Sequence, residues 1–171
     1  MNLIDFRNIF VTKLFGIVEY KNENEIWCKE RGVDATIEFL NNSIFFVKVR
    51  RYYINGNKFW EQNYKVGERH GKYIEWFENG NKQVEADYKN GLLHGEYIRW
   101  FENGNKQLET DYKNGEQHGE SFCWFENGNK EYEADYQNDE LHGKYIRWFK
   151  NGSKSLEENY QNGKLHSKSF G

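Results

Sequence analysis

The sequence predicts an all-β fold, an elongated single-layer antiparallel meander of 24-residue β-hairpin repeats with a small N-terminal cap. Three observations predict it. The five histidines, His70, His94, His118, His142 and His166, stand 24 residues apart, and Trp76, Trp100, Trp124 and Trp148 follow the first four by six. Asn-Gly pairs recur at 55, 79, 103, 127 and 151, and tyrosines at 64, 88, 112, 136 and 160, without insertion or deletion. A fixed period of this size marks a repeat architecture. The 171 residues also hold 16 Gly and no Pro, with 18% aromatic residues against 37% hydrophobic ones. Proline would remove ladder donors from a sheet. The aromatic content argues against disorder, and the low hydrophobic content against a thick core.

Residues 2–15 place Leu3, Phe6, Phe10 and Leu14 at helical spacing and end near Gly16, which predicts a short amphipathic helix. Residues 37–40 and 44–49, joined by Asn41-Asn42-Ser43, read as a hairpin. Residues 47–54 then run into the repeats, with Tyr52 and Tyr53 in the Trp and Phe columns, as a degenerate unit would. The chain divides into a cap over 1–51 and a five-unit array over 52–171.

Within one unit, Asn79-Gly80 and Asn90-Gly91 are turn dipeptides, because Asn and Gly tolerate the positive φ of tight hairpins. Strand 82–88 lies between them and strand 96–102 follows the second, so five units make ten strands, a ribbon of about 50 Å at about 4.8 Å per strand. Register is read from hydrophobic consistency. A three-residue loop at Glu78-Asn79-Gly80 sets Ile74 opposite Val84 and gathers Ile74, Trp76, Val84, Ala86 and Tyr88 on one face. The same loop at Lys89-Asn90-Gly91 preserves that parity, and Tyr73 and Phe77 fall on the other face with the carboxylates.

The chemistry-bearing columns read as architecture. Histidines two strands apart are about 10 Å from one another, too far to share one metal ion. The column Glu85, Glu109, Glu133, Glu157 with Asp87, Asp111 and Asp135 is repeated, whereas acid and base catalysis needs one asymmetric pair. It is read as a solvated face or as cross-strand partners for Arg99 and Arg147. No catalytic, cofactor or metal site is expected. A net charge of -3 disfavours nucleic acid. The longest apolar runs are far too short for a transmembrane helix, no secretory signal is evident, and the distant Cys28 and Cys123 suggest a reducing compartment and cytoplasmic residence.

The segment Tyr88-Lys89-Asn90-Gly91-Leu92-Leu93-His94-Gly95 and its copies resemble the MORN repeat, and Trp76-Phe77-Glu78-Asn79-Gly80-Asn81-Lys82 is similar to its variant class, seen in bacterial antitoxin-like proteins and large DNA viruses. The resemblance covers residues 52–171. Val66 replaces a turn Asn, Asp139 a turn Gly and Ser167 the Gly after His. It implies a non-catalytic module that scaffolds or self-associates. It also suggests two alternatives, an antitoxin-like neutralising protein and a peripheral membrane adaptor, the second disfavoured by the few basic residues of the N-terminal segment. If the source is viral, host cytoplasm or virion is the implied location.

An apolar face with no second layer points to a protein partner or a homodimer. The residues expected to carry contact are Ile74, Trp76, Tyr88, Ile98, Trp100, Tyr112, Phe122, Trp124, Tyr136, Ile146, Trp148 and Tyr160.

Overall fold

The computed structural model describes residues 17–22, 25–30, 33–39 and 46–169, with side chains over 46–167. These form fourteen strands: β1 (Ile17–Asn22), β2 (Glu25–Glu30), β3 (Val33–Phe39), β4 (Phe46–Tyr52), β5 (Lys58–Lys65), β6 (Glu68–Trp76), β7 (Lys82–Lys89), β8 (Leu92–Trp100), β9 (Lys106–Lys113), β10 (Glu116–Trp124), β11 (Lys130–Gln137), β12 (Glu140–Trp148), β13 (Lys154–Gln161) and β14 (Lys164–Ser169). They pair in sequence order in one antiparallel sheet, and the described residues contain no helix. The ten strands expected of five units are β5 to β14. The helix expected over 2–15 lies outside the described residues. The expected hairpin is β3 with β4, where Ile37 faces Val49; residues 40–45 of its connection lie outside the described residues.

The first turn of each unit is the three-residue loop that the sequence suggests. Gly80 takes φ +91°, its N–H donates to the Phe77 carbonyl at 2.9 Å, and the Phe77 N–H donates to the Asn81 carbonyl at 2.8 Å. The strand register nevertheless differs from the expected one. Trp76 opposes Lys82, but Glu75 opposes Val84 and Ile74 opposes Glu85, so Gln83 is an extra residue in β7. This bulge moves every later side chain of β7 to the other face. It recurs at Phe59, Gln107, Glu131 and Ser155, where the same register shift follows the loop.

The second turn is a two-residue loop rather than the expected three. Lys89 pairs with Leu92, and Asn90 and Gly91 both have positive φ, 51° and 81°, the mirror-image turn whose twist suits a hairpin. Val66-Gly67 and Asn138-Asp139 keep this conformation despite their departures. Past the turn, Tyr88 opposes Leu93 while Ala86 opposes Tyr97, so His94, Gly95 and Glu96 together face Asp87. Gly95 absorbs the bend at φ +100°.

Ile74, Trp76, Ile98, Trp100, Phe122, Trp124, Ile146 and Trp148 therefore share one face with the carboxylate column. Val84, Ala86, Tyr88, Tyr73, Tyr97 and Arg99 share the other. The expected single apolar face is corrected to two mixed ones, and Tyr73 lies with Tyr88 rather than opposite it. The core is correspondingly thin. Among the described residues, Val47, Val49, Val84, Ala86, Ile98, Ala134 and Ile146 are the buried apolar ones.

The glycine after His70, His94, His118 and His142 is required by conformation and, at Gly143, by space. A Cβ on Gly143, at φ +114°, would lie 2.7 Å from Asp135 Oδ2 and 3.0 Å from Asp135 Cβ, whereas one on Gly128, at φ +88°, would meet nothing within 4 Å. Gly128→Ala should cost roughly 1–2 kcal/mol for the left-handed backbone alone. Gly143→Ala should cost at least about 1 kcal/mol more through overpacking. Urea unfolding of the two variants measures the difference, and equal costs would show that Asp135 simply moves aside.

Candidate interaction surface

The two faces shield their apolar groups in different ways. On the tryptophan face, one row alternates Glu61, Ile74, Glu85, Ile98, Glu109, Phe122, Glu133, Ile146 and Glu157 across successive strands. Each carboxylate meets the lysine three residues before it: Lys82 Nζ lies 2.7 Å from Glu85 and Lys130 2.7 Å from Glu133. The same lysines reach over the tryptophans. Lys58 sits 4.9 Å from the Trp76 ring, Lys82 5.6 Å from Trp100 and Lys130 5.6 Å from Trp148. A lysine stem covers apolar surface while its ammonium stays wet, so this face is largely clothed by its own side chains.

The expected pairing of the acidic column with Arg99 and Arg147 is therefore corrected. The bulge leaves those arginines on the opposite face, across from Val84 and Leu108 and from Tyr132 and Leu156 respectively, and Glu85 is held instead by Lys82 and by Lys72 at 3.0 Å. The Lys82 hydrogen bond, with Lys72 assisting and burial opposing, holds the Glu85 carboxyl below its ordinary 4.5.

The other face belongs to tyrosine and arginine. Tyr88, Tyr112, Tyr136 and Tyr160, four of the twelve expected contact residues, lie here, apart from the other eight. Gly71, Gly95, Gly119 and Gly143 stand opposite them. Edge-to-face pairs join Tyr73 to Tyr88, Tyr97 to Tyr112 and Tyr145 to Tyr160, with centroids 6.3, 5.9 and 6.1 Å apart. Ala86, between Tyr73 and Tyr97, is completely buried. Burial pushes ionisation of Tyr97, Tyr112, Tyr132, Tyr136 and Tyr145 upward, so the phenols remain neutral hydroxyls. From β4 to β13 this face carries Arg51, Arg69, Arg99 and Arg147 and no lysine.

The remaining columns are structural. His94 Nδ1 accepts the Asn114 N–H and His142 Nδ1 the Asn162 N–H, both at 3.4 Å. Among the described residues, no three of His, Cys, Asp and Glu gather as a metal-binding group. Burial, with Glu131 adding to it, pushes the Cys123 thiol up to about 11, which keeps it protonated and a poor nucleophile.

Two features escaped the sequence reading. The third residue of each Asn-Gly-Asn loop staples units together: Asn81 Nδ2 donates to the Glu102 carbonyl at 2.9 Å, Asn105 to that of Glu126 at 3.0 Å and Asn129 to that of Lys150 at 2.9 Å. Its recurrence in four units was the available signal. The other is the Trp60, Gln62, Tyr64, Arg69 and Tyr73 cluster, whose signal was departure from the repeat.

A family model described as the MORN repeat variant matches residues 69–90, 93–114, 117–138 and 141–162. No curated protein matches the chain.

The pH dependence of stability follows from the carboxylate row. Because the folded Glu85 carboxyl ionises below its usual value, its contribution is present above about pH 4.5 and is lost as pH falls through the lower folded value. Urea midpoints should fall between pH 5 and about pH 3. Lys82→Met should flatten that fall by up to about 1 kcal/mol, the upper end for a pair whose lysine stays in solvent; an unchanged slope would place the linkage elsewhere.

Proposed function

The chain belongs to the MORN repeat variant family, and from that premise we propose that it is a non-catalytic scaffold that binds a protein partner through the tyrosine and arginine face of its sheet. MORN repeats commonly serve interaction with proteins or membranes and are generally non-catalytic. The observation that carries the proposal is the composition of that face. Interface cores are enriched in Tyr, Trp and Arg and depleted in Lys. This face has that bias, while the opposite one is covered by lysine and glutamate.

Energetics favour the same side. The tyrosines are already half-buried and held edge to edge, so docking costs little further side-chain entropy. The arginine guanidiniums add planar donors that keep their charge. On the tryptophan face, a partner would first have to displace the Lys–Glu pairs. The expected contact residues Ile74, Trp76, Ile98, Trp100, Phe122, Trp124, Ile146 and Trp148 serve this reading as the support of the array, and Tyr88, Tyr112, Tyr136 and Tyr160 as part of the docking surface.

The test uses charge reversal at exposed positions. Sedimentation of the purified chain across concentration reads self-association, and crosslinking pull-down from the native host reads a distinct partner. Arg99→Glu combined with Arg147→Glu should weaken the association at least tenfold, and Lys106→Glu on the other face less than twofold, with thermal midpoints near wild type. A strict monomer that crosslinks to no specific protein would sink the proposal.

A further inference from the structure

One cross-strand row of the tyrosine face alternates in charge. It runs from Glu75 on β6 through Arg99 on β8 and Cys123 on β10 to Arg147 on β12, with Val84, Leu108 and Tyr132 on the strands between. At Cys123 the charge comes from Glu131, the bulge residue of β11, whose Oε2 accepts the Cys123 S–H at 3.6 Å. The order is therefore minus, plus, minus, plus, with successive charges two strands, or about 10 Å, apart.

The chain leaves these charges unpaired. Among the described residues, none of the four forms a salt bridge. Glu75 Oε2 accepts the Tyr73 hydroxyl at 2.8 Å, and Arg99 and Arg147 are exposed. On the opposite face, by contrast, Glu85, Glu109 and Glu133 are each matched by a lysine.

A partner that satisfies the row must present charges alternating at the same pitch. An acidic segment would pair with the two arginines but meet the two carboxylates, and a basic segment would do the reverse. The array itself supplies a surface of the required pitch. On the reading that this face binds protein, we propose that its partner is a second copy of the chain, docked face to face with this row running antiparallel to its counterpart.

The two-fold axis lies parallel to the strands and passes through Leu108 on β9, so that β8 faces β10 and β6 faces β12. Arg99 meets Glu131 of the second copy and Glu75 meets its Arg147, each pair made twice, as an isologous contact requires. All four charges of both chains are then matched. Leu108 lies against its own counterpart, and Tyr132 over Val84. A slip of one unit would set like charges together, which fixes the register. The footprint suits a dimer. Strands β6 to β12 at about 4.8 Å each, and the seven residues from Arg69 to Glu75 at about 3.3 Å each, cover roughly 750 Å². Two such faces give about 1,500 Å², within the range of specific interfaces, and aligned sheets pack in this way with strands within about 30° of one another.

Charge reversal and mixing test the arrangement in the full-length chain. Arg99→Glu carries the residue that Glu75 supplies in the preceding unit, and Glu131→Lys reverses its proposed mate. By sedimentation the wild type should dimerise. Each variant alone should associate with itself at least tenfold more weakly, because like pairs replace opposite ones. Mixed in equal amounts, the two should form a heterodimer as tight as the wild type, since every pair is again opposite. Arg147→Glu with Glu75→Lys should do the same, which supplies a second test if one variant loses its thermal midpoint. Arg99→Glu with Glu75→Lys should not recover. A monomeric wild type, single variants that still pair with themselves, mixtures that stay monomeric, or recovery in the last mixture overturns the arrangement. The crosslinking assay separates the two proposals: a monomer that captures a host protein through Arg99 and Arg147 removes the second copy and leaves the docking face, whereas a monomer that captures nothing removes both.

Discussion

A sheet one layer thick has nothing behind it, and that constraint governs every column of this protein. Each apolar side chain must be covered by its neighbours on the same face, so the unit of stability is the cross-strand row rather than a core. Such pairs contribute roughly 0.2–1 kcal/mol each, and regular repetition is what makes them sufficient. The row that alternates Ile with Glu and the lysines laid over tryptophans solve the problem on one face. Tyrosines opposite glycines and around Ala86 solve it on the other. Neither solution survives a slip of one residue, which would exchange the two faces.

Register is held at both rims. On one, the turn N–H of each unit reaches back to the unit before: Gly91 to the Arg69 carbonyl, Gly115 to Leu93 and Gly163 to Leu141, at 2.8 to 3.0 Å. On the other, Asn81 and its copies reach forward to the next loop. A nearest-neighbour array gains its cooperativity through such interfaces. Where the turn glycine is replaced by Asp139, its N–H still donates to the Gln117 carbonyl at 3.1 Å. Its carboxylate adds an acceptor for the Gln117 N–H at 2.7 Å, so the staple is doubled as the backbone becomes less comfortable.

The period, the strands and the first loop are legible in the sequence because Asn-Gly chemistry and spacing are local. The register is not, because hydrophobic consistency presumes one dry face and one wet face. Here each face is mixed, so Ile74 opposite Glu85 is as acceptable as Ile74 opposite Val84, and a bulge at Gln83 decides between them without a sequence mark of its own. The same bulge explains why the aromatic columns were legible as important yet were grouped wrongly. Trp76 and Tyr88 share parity in sequence and opposite faces in space. The cluster around Gln62 was hidden for another reason: attention to what recurs passes over the unit in which recurrence fails.

Departures from a repeat are of two kinds, and the structure distinguishes them. At Ser121 the array loses a tyrosine of the row that holds Tyr97 and Tyr145, but Tyr132, where other units have Val84 or Leu108, lies beside it and packs against Tyr145 with centroids 6.3 Å apart. Bulk lost from one strand returns on the next, and Ser121 remains fully buried. That is repair, and it leaves the surface much as it was. Trp60, Gln62 and Arg69 follow no such logic. They add bulk, a buried carbonyl without a partner and a guanidinium, all in one place, where the neighbouring unit manages with Val84, Ala86 and Leu93. Unmet buried polar atoms accompany both kinds, Ser121 Oγ and Gln62 Oε1 alike lacking a hydrogen-bond partner, so it is bulk, restored at Tyr132 and added at Trp60, that separates repair from departure.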